Sequence, residues 1–191
     1  MPASGEVSLA GRDIHKWPSE DRGQYFGYVP QDVELMPGTI AENIGRMSET
    51  EPHFVIDAAM KAGAHEMILG LPKGYETLIG PQNATGLSAG QRQLIGLARA
   101  LFGQPIVLLL DEPTANLDPK SAQRVIESLT TAMEADTIVL VATHDPVLIA
   151  ATQSVLLVRD GTILSARSDE YLRVSEAKPK NNVTKLEIGA S

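Results

Sequence analysis

The sequence predicts an α/β domain built around a parallel sheet. Three observations carry that expectation. The apolar run Ile106-Val107-Leu108-Leu109-Leu110 ends in Asp111-Glu112, and a second run, Ile138–Ala142, ends in Thr143-His144. Neither run alternates, so both read as strands of a covered parallel sheet. Upstream of the first lies a helical pattern, Leu94, Ile95, Ala98, Leu101 and Phe102, preceded by Ser88, a favoured N-cap residue. In open parallel sheets ligands sit beyond the carboxyl ends of the strands. Polar residues that follow apolar runs are therefore the candidates for chemistry.

In chain order, residues 6–31 read as β-strands with a turn, the last strand being Tyr25–Val29 with Gln31 beyond it. Residues 32–104 read as a mainly helical subdomain. Thr50 is expected to cap a helix that carries Phe54, Val55, Ala58, Ala59 and Ala62 and stops before Pro72. Residues 105–165 return to the α/β pattern. Asp118 followed by Pro119 suits an N-cap with proline at the first helical position, ahead of Ala122, Val125, Ile126 and Leu129. Val155–Val158, Asp160-Gly161 and Thr162–Leu164 read as a two-residue hairpin. Residues 175–191 are polar and are expected to form a disordered tail.

The chemistry starts at Asp111 and Glu112. Successive strand residues point to opposite sides, so the two carboxylates can take different tasks. One can hold Mg²⁺, which needs few protein carboxylates and keeps several waters. The other can orient or deprotonate a water. A helix N-cap pair is the plain alternative. Ser88, Ala89 and Gly90 are small, so a helix starting there offers its first backbone N–H groups to an anion. Gly90 precedes Asp111 by 21 positions. His15, His53 and His65 have no motif around them.

Taken together the chain resembles the nucleotide-binding domain of ABC transporters over most of residues 5–170. Tyr28-Val29-Pro30-Gln31 resembles the Q-loop. Leu87-Ser88-Ala89-Gly90-Gln91 resembles the signature motif, with Ala89 where glycine is commoner. Val107–Glu112 resembles the Walker B strand and catalytic glutamate, Ala115-Asn116-Leu117-Asp118 the D-loop, and Thr143-His144-Asp145 the switch-histidine loop. The resemblance implies a P-loop NTPase-like core with a helical signature subdomain, binding ATP and Mg²⁺. It implies that Asp111 and Gln31 face the metal, that Glu112 and Gln31 serve the attacking water, and that His144 contacts the γ-phosphate. Leu87–Gln91 and Asp118 would act at a head-to-tail interface with a second nucleotide-binding domain. The segment Gly38-Thr39-Ile40-Ala41-Glu42-Asn43-Ile44 is similar to exporter domains, most of all to bacterial type I secretion ATPases. That implies a transmembrane partner domain and the cytoplasmic face of a bacterial inner membrane. Residues 80–86 fall where exporters carry the X-loop, without its usual acidic-glycine pattern.

One element is absent. A P-loop reads Gly-x-x-x-x-Gly-Lys-[Ser/Thr], its amides cradling phosphates and its lysine reaching the β/γ-oxygens. No Gly-Lys pair occurs in the 191 residues. Residues 2–7 resemble the family segment that follows the P-loop helix, so residues 1–174 are expected to form a partial domain, incomplete at the N-terminus and lacking a strand and a core helix. Losing four hydrogen bonds to charged phosphate removes roughly 6–12 kcal/mol of gross interaction, whereas millimolar to micromolar binding amounts to about 4–8 kcal/mol. The isolated chain is therefore expected to bind ATP weakly and not to turn it over. Apolar surface around Val107–Leu110 and Ile138–Val141 is expected to be uncovered.

Composition narrows the remaining classes. With 16 basic against 24 acidic residues the formal charge is −8, which disfavours nucleic acid as a partner. There are no cysteines, hence no disulfides and no thiolate metal site. No apolar run approaches the length of a membrane-spanning helix. ABC-type ATPases of DNA repair share the signature and Walker B but insert long coiled coils, whereas Gln31 and Ser88 are only 57 residues apart. A non-enzymatic half-subunit that supplies only the signature side of a composite ATP site is the other alternative.

Overall fold

The computed structural model describes residues 5, 7–80, 86–115, 117–135, 137–159 and 161–176. The tail beyond residue 176 and most of the X-loop region lie outside the described residues. The chain divides into two units, Met1–Ala142 and Thr143–Ser191.

The first unit is organised by a three-stranded parallel sheet in the order β3-β6-β7, with β3 at Phe26–Val29, β6 at Val107–Asp111 and β7 at Ile138–Ala142. Register runs Val29↔Leu110 and Leu110↔Val141, with Asp111↔Ala142 one row further on. The two apolar runs are thus adjacent parallel strands, as their pattern predicts. Before them β1 (Ser8–Leu9) pairs antiparallel with β2 (Arg12–Asp13). Ala10 and Gly11, both at positive φ, make the turn, which suits the twist of a two-residue hairpin.

Residues Ser19–Tyr25 form helix α1 where sequence reading expects strand. The segment Ser-Glu-Asp-Arg-Gly-Gln-Tyr holds no β-branched residue and follows a proline, Pro18, whose carbonyl accepts the first helical hydrogen bond from Arg22. Between Val29 and Ser88 the chain forms β4 (Gly38–Thr39), α2 (Ile40–Ile44), α3 (Pro52–Lys61), α4 (His65–Leu69) and β5 (Leu78–Ile79). Helix α2 carries a full capping box: Glu42 N–H donates to Thr39 Oγ1 at 3.0 Å, and Thr39 N–H to Glu42 Oε2 at 2.6 Å. Thr50 does not cap α3. Glu51 holds that position without a side-chain bond, because Pro52 presets the first helical φ one residue later. The expected single helix is two, broken at Gly63 (φ +65°). There Ala64 N–H returns to Ala59 O at 2.8 Å, closing the end of α3 through a left-handed residue.

Helix α5 (Ala89–Leu101) is the spine of the core. Leu94, Ile95, Leu97 and Ala98 are buried, and α5 packs on α2, α3 and β3, whose Ile40, Ile44, Val55 and Val29 are buried as well. Its packing on the sheet is close: a Cβ added at Gly27 of β3 would lie 2.3 Å from Ala100 O. Helix α6 (Pro119–Glu134) buries Val125, Leu129 and Ala132.

Paired residues in parallel neighbours share a face, so Tyr28, Leu109 and Leu140 form one row and Phe26, Val107 and Ile138 another. This face, opposite Gly27 and Val29, is the open one. Tyr28 is 57% exposed, Leu140 51% and Ile138 49%. Exposure falls on the flanking strands, while Val107, Leu108 and Leu110 of the central strand remain buried. The expected uncovered surface is therefore real for Ile138 and Leu140 of β7, whereas β6 is buried at Val107, Leu108 and Leu110 and half-buried at Leu109.

In the second unit, α7 (Pro146–Ala151) and α8 (Ser168–Glu176) flank the antiparallel hairpin β8 (Ser154–Arg159) and β9 (Thr162–Arg167). Arg159 pairs with Thr162, so the connection has the expected two residues. Gly161 supplies a positive φ, and Asp160 lies outside the described residues. Thr152 Oγ1 and Ser168 Oγ are hydrogen-bonded at 3.0 Å. Among the described residues no helix is long and apolar enough to cross a membrane.

Candidate functional site

Parallel pairing brings three of the predicted residues to one edge of the sheet. Asp111 is the last residue of β6, the central strand, and Glu112 is the next. Gln31 lies two residues beyond the end of β3, the neighbouring strand, and is exposed. Register places Val29 beside Leu110, so Gln31 and the two carboxylates leave the sheet at the same carboxyl edge. Glu112 is held there in an unusual backbone: its φ is +44°, and its N–H donates to Ala142 O at 2.8 Å. A glutamate in the left-handed region is a strained placement that surrounding structure must maintain. Asp111 and Glu112 are both half-buried. A carboxylate at such an edge suits a hard cation that prefers oxygen ligands.

The helix start at Ser88 forms as predicted, and with a capping box. Gln91 N–H donates to Ser88 Oγ at 3.2 Å, and Ser88 N–H to Gln91 Oε1 at 2.8 Å. The box engages the Gln91 amide, not those of Ala89 and Gly90 at the head of the helix. Leu87 is buried, and its carbonyl accepts from Arg92 Nη1 at 2.6 Å. Ser88 and Ala89 are exposed, so this turn presents itself to solvent.

Asp118 caps α6: Oδ1 accepts from the amides of Lys120 and Ser121 at 3.0 and 3.1 Å, and Oδ2 from the Ser121 hydroxyl at 2.6 Å. The Ser121 hydroxyl bond and then the Ser121 amide hold this carboxyl below the usual carboxylate range. Gly90 packs directly on this cap. A Cβ there would lie 2.6 Å from Ser121 Oγ and 3.5 Å from Asp118 Oδ2. The signature turn and Asp118 are thus neighbours within one chain. Asn116 lies outside the described residues. His144 is an exposed residue of the second unit, between the end of β7 and the Asp145 cap of α7, whose Oδ1 accepts from Val147 N–H at 2.9 Å.

Sequence reading missed the residues that tie these segments together. Gly96, midway along α5, lies against Val33: a Cβ there would be 2.6 Å from Val33 Cγ1. Arg99 donates through both Nη atoms to Glu34 O at 3.1 Å. Asn43, fully buried, accepts from Met36 N–H at 2.8 Å and donates to Met36 O at 2.9 Å. Arg46 donates to Arg99 O and Ala100 O, both at 3.0 Å, and to Gly23 O. Burial pushes both arginines below their ordinary pKa, and Arg99 adds to the effect on Arg46. A glycine inside a helical pattern was the one available signal, since such a residue commonly marks close packing.

A model of the ABC transporter family matches residues 1–115. That span holds Gln31, Leu87–Gln91, Asp111 and Glu112. The chain belongs to the ABC transporter family. Over 177 residues it is 44% identical to the type I secretion system ATP-binding protein PrsD of Rhizobium meliloti, covering 92% of this chain and 30% of that protein. It is 38% identical over 174 residues to the mitochondrial potassium channel ATP-binding subunit of Mus musculus, covering 90% and 24%. The ABC transporter ATP-binding protein YfiC of Bacillus subtilis is 38% identical over 174 residues, with 90% and 28% covered. The chain thus spans between about a quarter and a third of the length of these curated relatives.

Proposed function

We propose that this chain is part of the ATP-hydrolysing domain of an ABC exporter of type I protein secretion, working at the cytoplasmic face of a bacterial inner membrane beside a transmembrane domain. The observation that carries the reading is the gathering of Gln31, Asp111 and Glu112 at one sheet edge, in the same unit as the Ser88 helix start. Bound Mg²⁺ would neutralise phosphate charge. Asp111 and Gln31 are the residues to hold it, Glu112 to orient the attacking water, and His144 to donate a hydrogen bond to phosphate. The Ser88–Gln91 turn, exposed and at a helix N-terminus, would face the nucleotide of a second, head-to-tail domain, its dipole contributing about 0.3–2 kcal/mol. The stretch read as this domain, expected to end at 174, runs on to Glu176 because helix α8 continues to that residue, with a helical subdomain near 32–104 and the polar tail after it.

By this reading the 191-residue polypeptide, without a Gly-x-x-x-x-Gly-Lys sequence, does not turn over ATP alone but can complete the site of an intact partner. The test is a vanadate-trapped mixed dimer with an intact nucleotide-binding domain. Trapping that is lost on Ser88→Arg supports the reading, and no pairing with any intact domain sinks it. The finer exporter assignment follows the relative that type I secretion names, and the Gly38–Ile44 segment favours the same class.

A further inference from the structure

We propose that Arg99 is a positioning residue for Gln31, acting by fixing the far end of the short segment that carries it to helix α5. This rests on the reading of Gln31 as a metal- and water-facing residue. Strand β3 fixes the near end, since Val29 is paired with Leu110 and buried. The far end is fixed three times within four residues: Val33 against Gly96, Glu34 O by the Arg99 fork, and Met36 by both polar atoms of the Asn43 amide. Only Pro30, Gln31 and Asp32 lie between the two anchors. A span that short, at about 3.3–3.6 Å per residue, has little slack, and Pro30 removes one further backbone freedom.

The Arg99 fork has its own footing. The carbonyls of Arg99 and Ala100, at the end of α5, accept from Arg46. The helix end from which Arg99 projects is therefore held while its two Nη groups meet one carbonyl. A lysine offers a single point donor there and cannot reproduce a two-pronged contact. Because the Ser88 turn is the other end of α5, Gln31 and that turn are carried by one body, and a displacement of either is felt by the other.

The test uses the full 191-residue chain without nucleotide. The sequence has no cysteine, so Asp32→Cys accepts a single nitroxide label, and Gln123→Cys on α6 gives a control site. Arg99→Ala is expected to raise probe mobility at 32 several-fold and leave it unchanged at 123, with Arg99→Lys recovering part of the loss. Unchanged mobility at 32 overturns the proposal, and so does equal loosening at both sites, which would make Arg99 a general fold residue. If Arg99→Ala does not fold, Arg99→Lys decides: raised mobility at 32 with 123 unchanged supports the tether, and unchanged mobility at 32 overturns it. If the tether holds but Gln31→Ala leaves Mn²⁺ binding to the chain, read by the loss of free-ion EPR signal, unchanged, the reading of Gln31 fails on its own.

Discussion

Glu112 leaves strand β6 at φ +44° while its N–H still bonds Ala142 O, so the chain reverses locally to bring a carboxylate to the sheet edge. Neighbouring polar residues show the same division between holding the backbone and offering chemistry. Ser88 spends its hydroxyl on the Gln91 amide, so Ser88→Ala is expected to cost about 1 kcal/mol of stability, read as a lower denaturant midpoint. Asp118 is kept ionised by the Ser121 hydroxyl and amide. Its folded pKa lies below its unfolded one, so its contribution is present above the unfolded value and is lost as pH falls through the folded value. Ser121→Ala removes the leading cause. The Asp118 titration, followed by side-chain NMR, is expected to move up toward the ordinary carboxylate range, and the stability lost on acidification to be smaller and complete at higher pH.

Elements that formed as read are those whose signal is local. Runs without polar interruption became β6 and β7, and the Ser88 cap followed by apolar spacing became α5. The Asp160-Gly161 position between apolar segments became a two-residue connection. Elements that did not are those decided by a single backbone feature or by a distant partner. Pro52 moved the start of α3, and Gly63 split the helix after it. The ties on the Gln31 segment were illegible because Val33 and Gly96 are 63 positions apart and Glu34 and Arg99 are 65. Contact between α5 and β3 leaves no room at Gly27, where the clash is with the backbone oxygen of Ala100 and no rotamer relieves it. Gly27→Ala is expected to destabilise by about 1–3 kcal/mol or more, read as a fall in the thermal midpoint, with Gly23→Ala, set in open space and without a positive φ, as the comparison for a simple glycine effect.

At the scale of the whole molecule, Gln31, Ser88, Asp111, Glu112 and Asp118, the residues proposed for ATP chemistry, belong to the first unit, and His144 belongs to the second. The first unit's sheet carries one covered face and one with Tyr28, Ile138 and Leu140 open to solvent. Contiguous apolar surface of this kind binds hydrophobic probes and promotes association. The chain is expected to enhance ANS fluorescence, and Leu140→Lys to reduce it, with Gln123→Lys on a polar surface leaving it unchanged. Equal ANS signal in all three would place the exposed apolar surface elsewhere.

This polypeptide is proposed to keep the carboxylate edge and the signature turn of an ATP site, and its 191 residues hold no Gly-x-x-x-x-Gly-Lys cradle for the phosphates. Mg²⁺-dependent release of phosphate from ATP by the purified 191-residue chain is the deciding measurement. No turnover above that of the Glu112→Gln variant is expected. Turnover clearly above that variant would contradict the proposal, because the chain would then be binding and positioning phosphate by residues other than a P-loop.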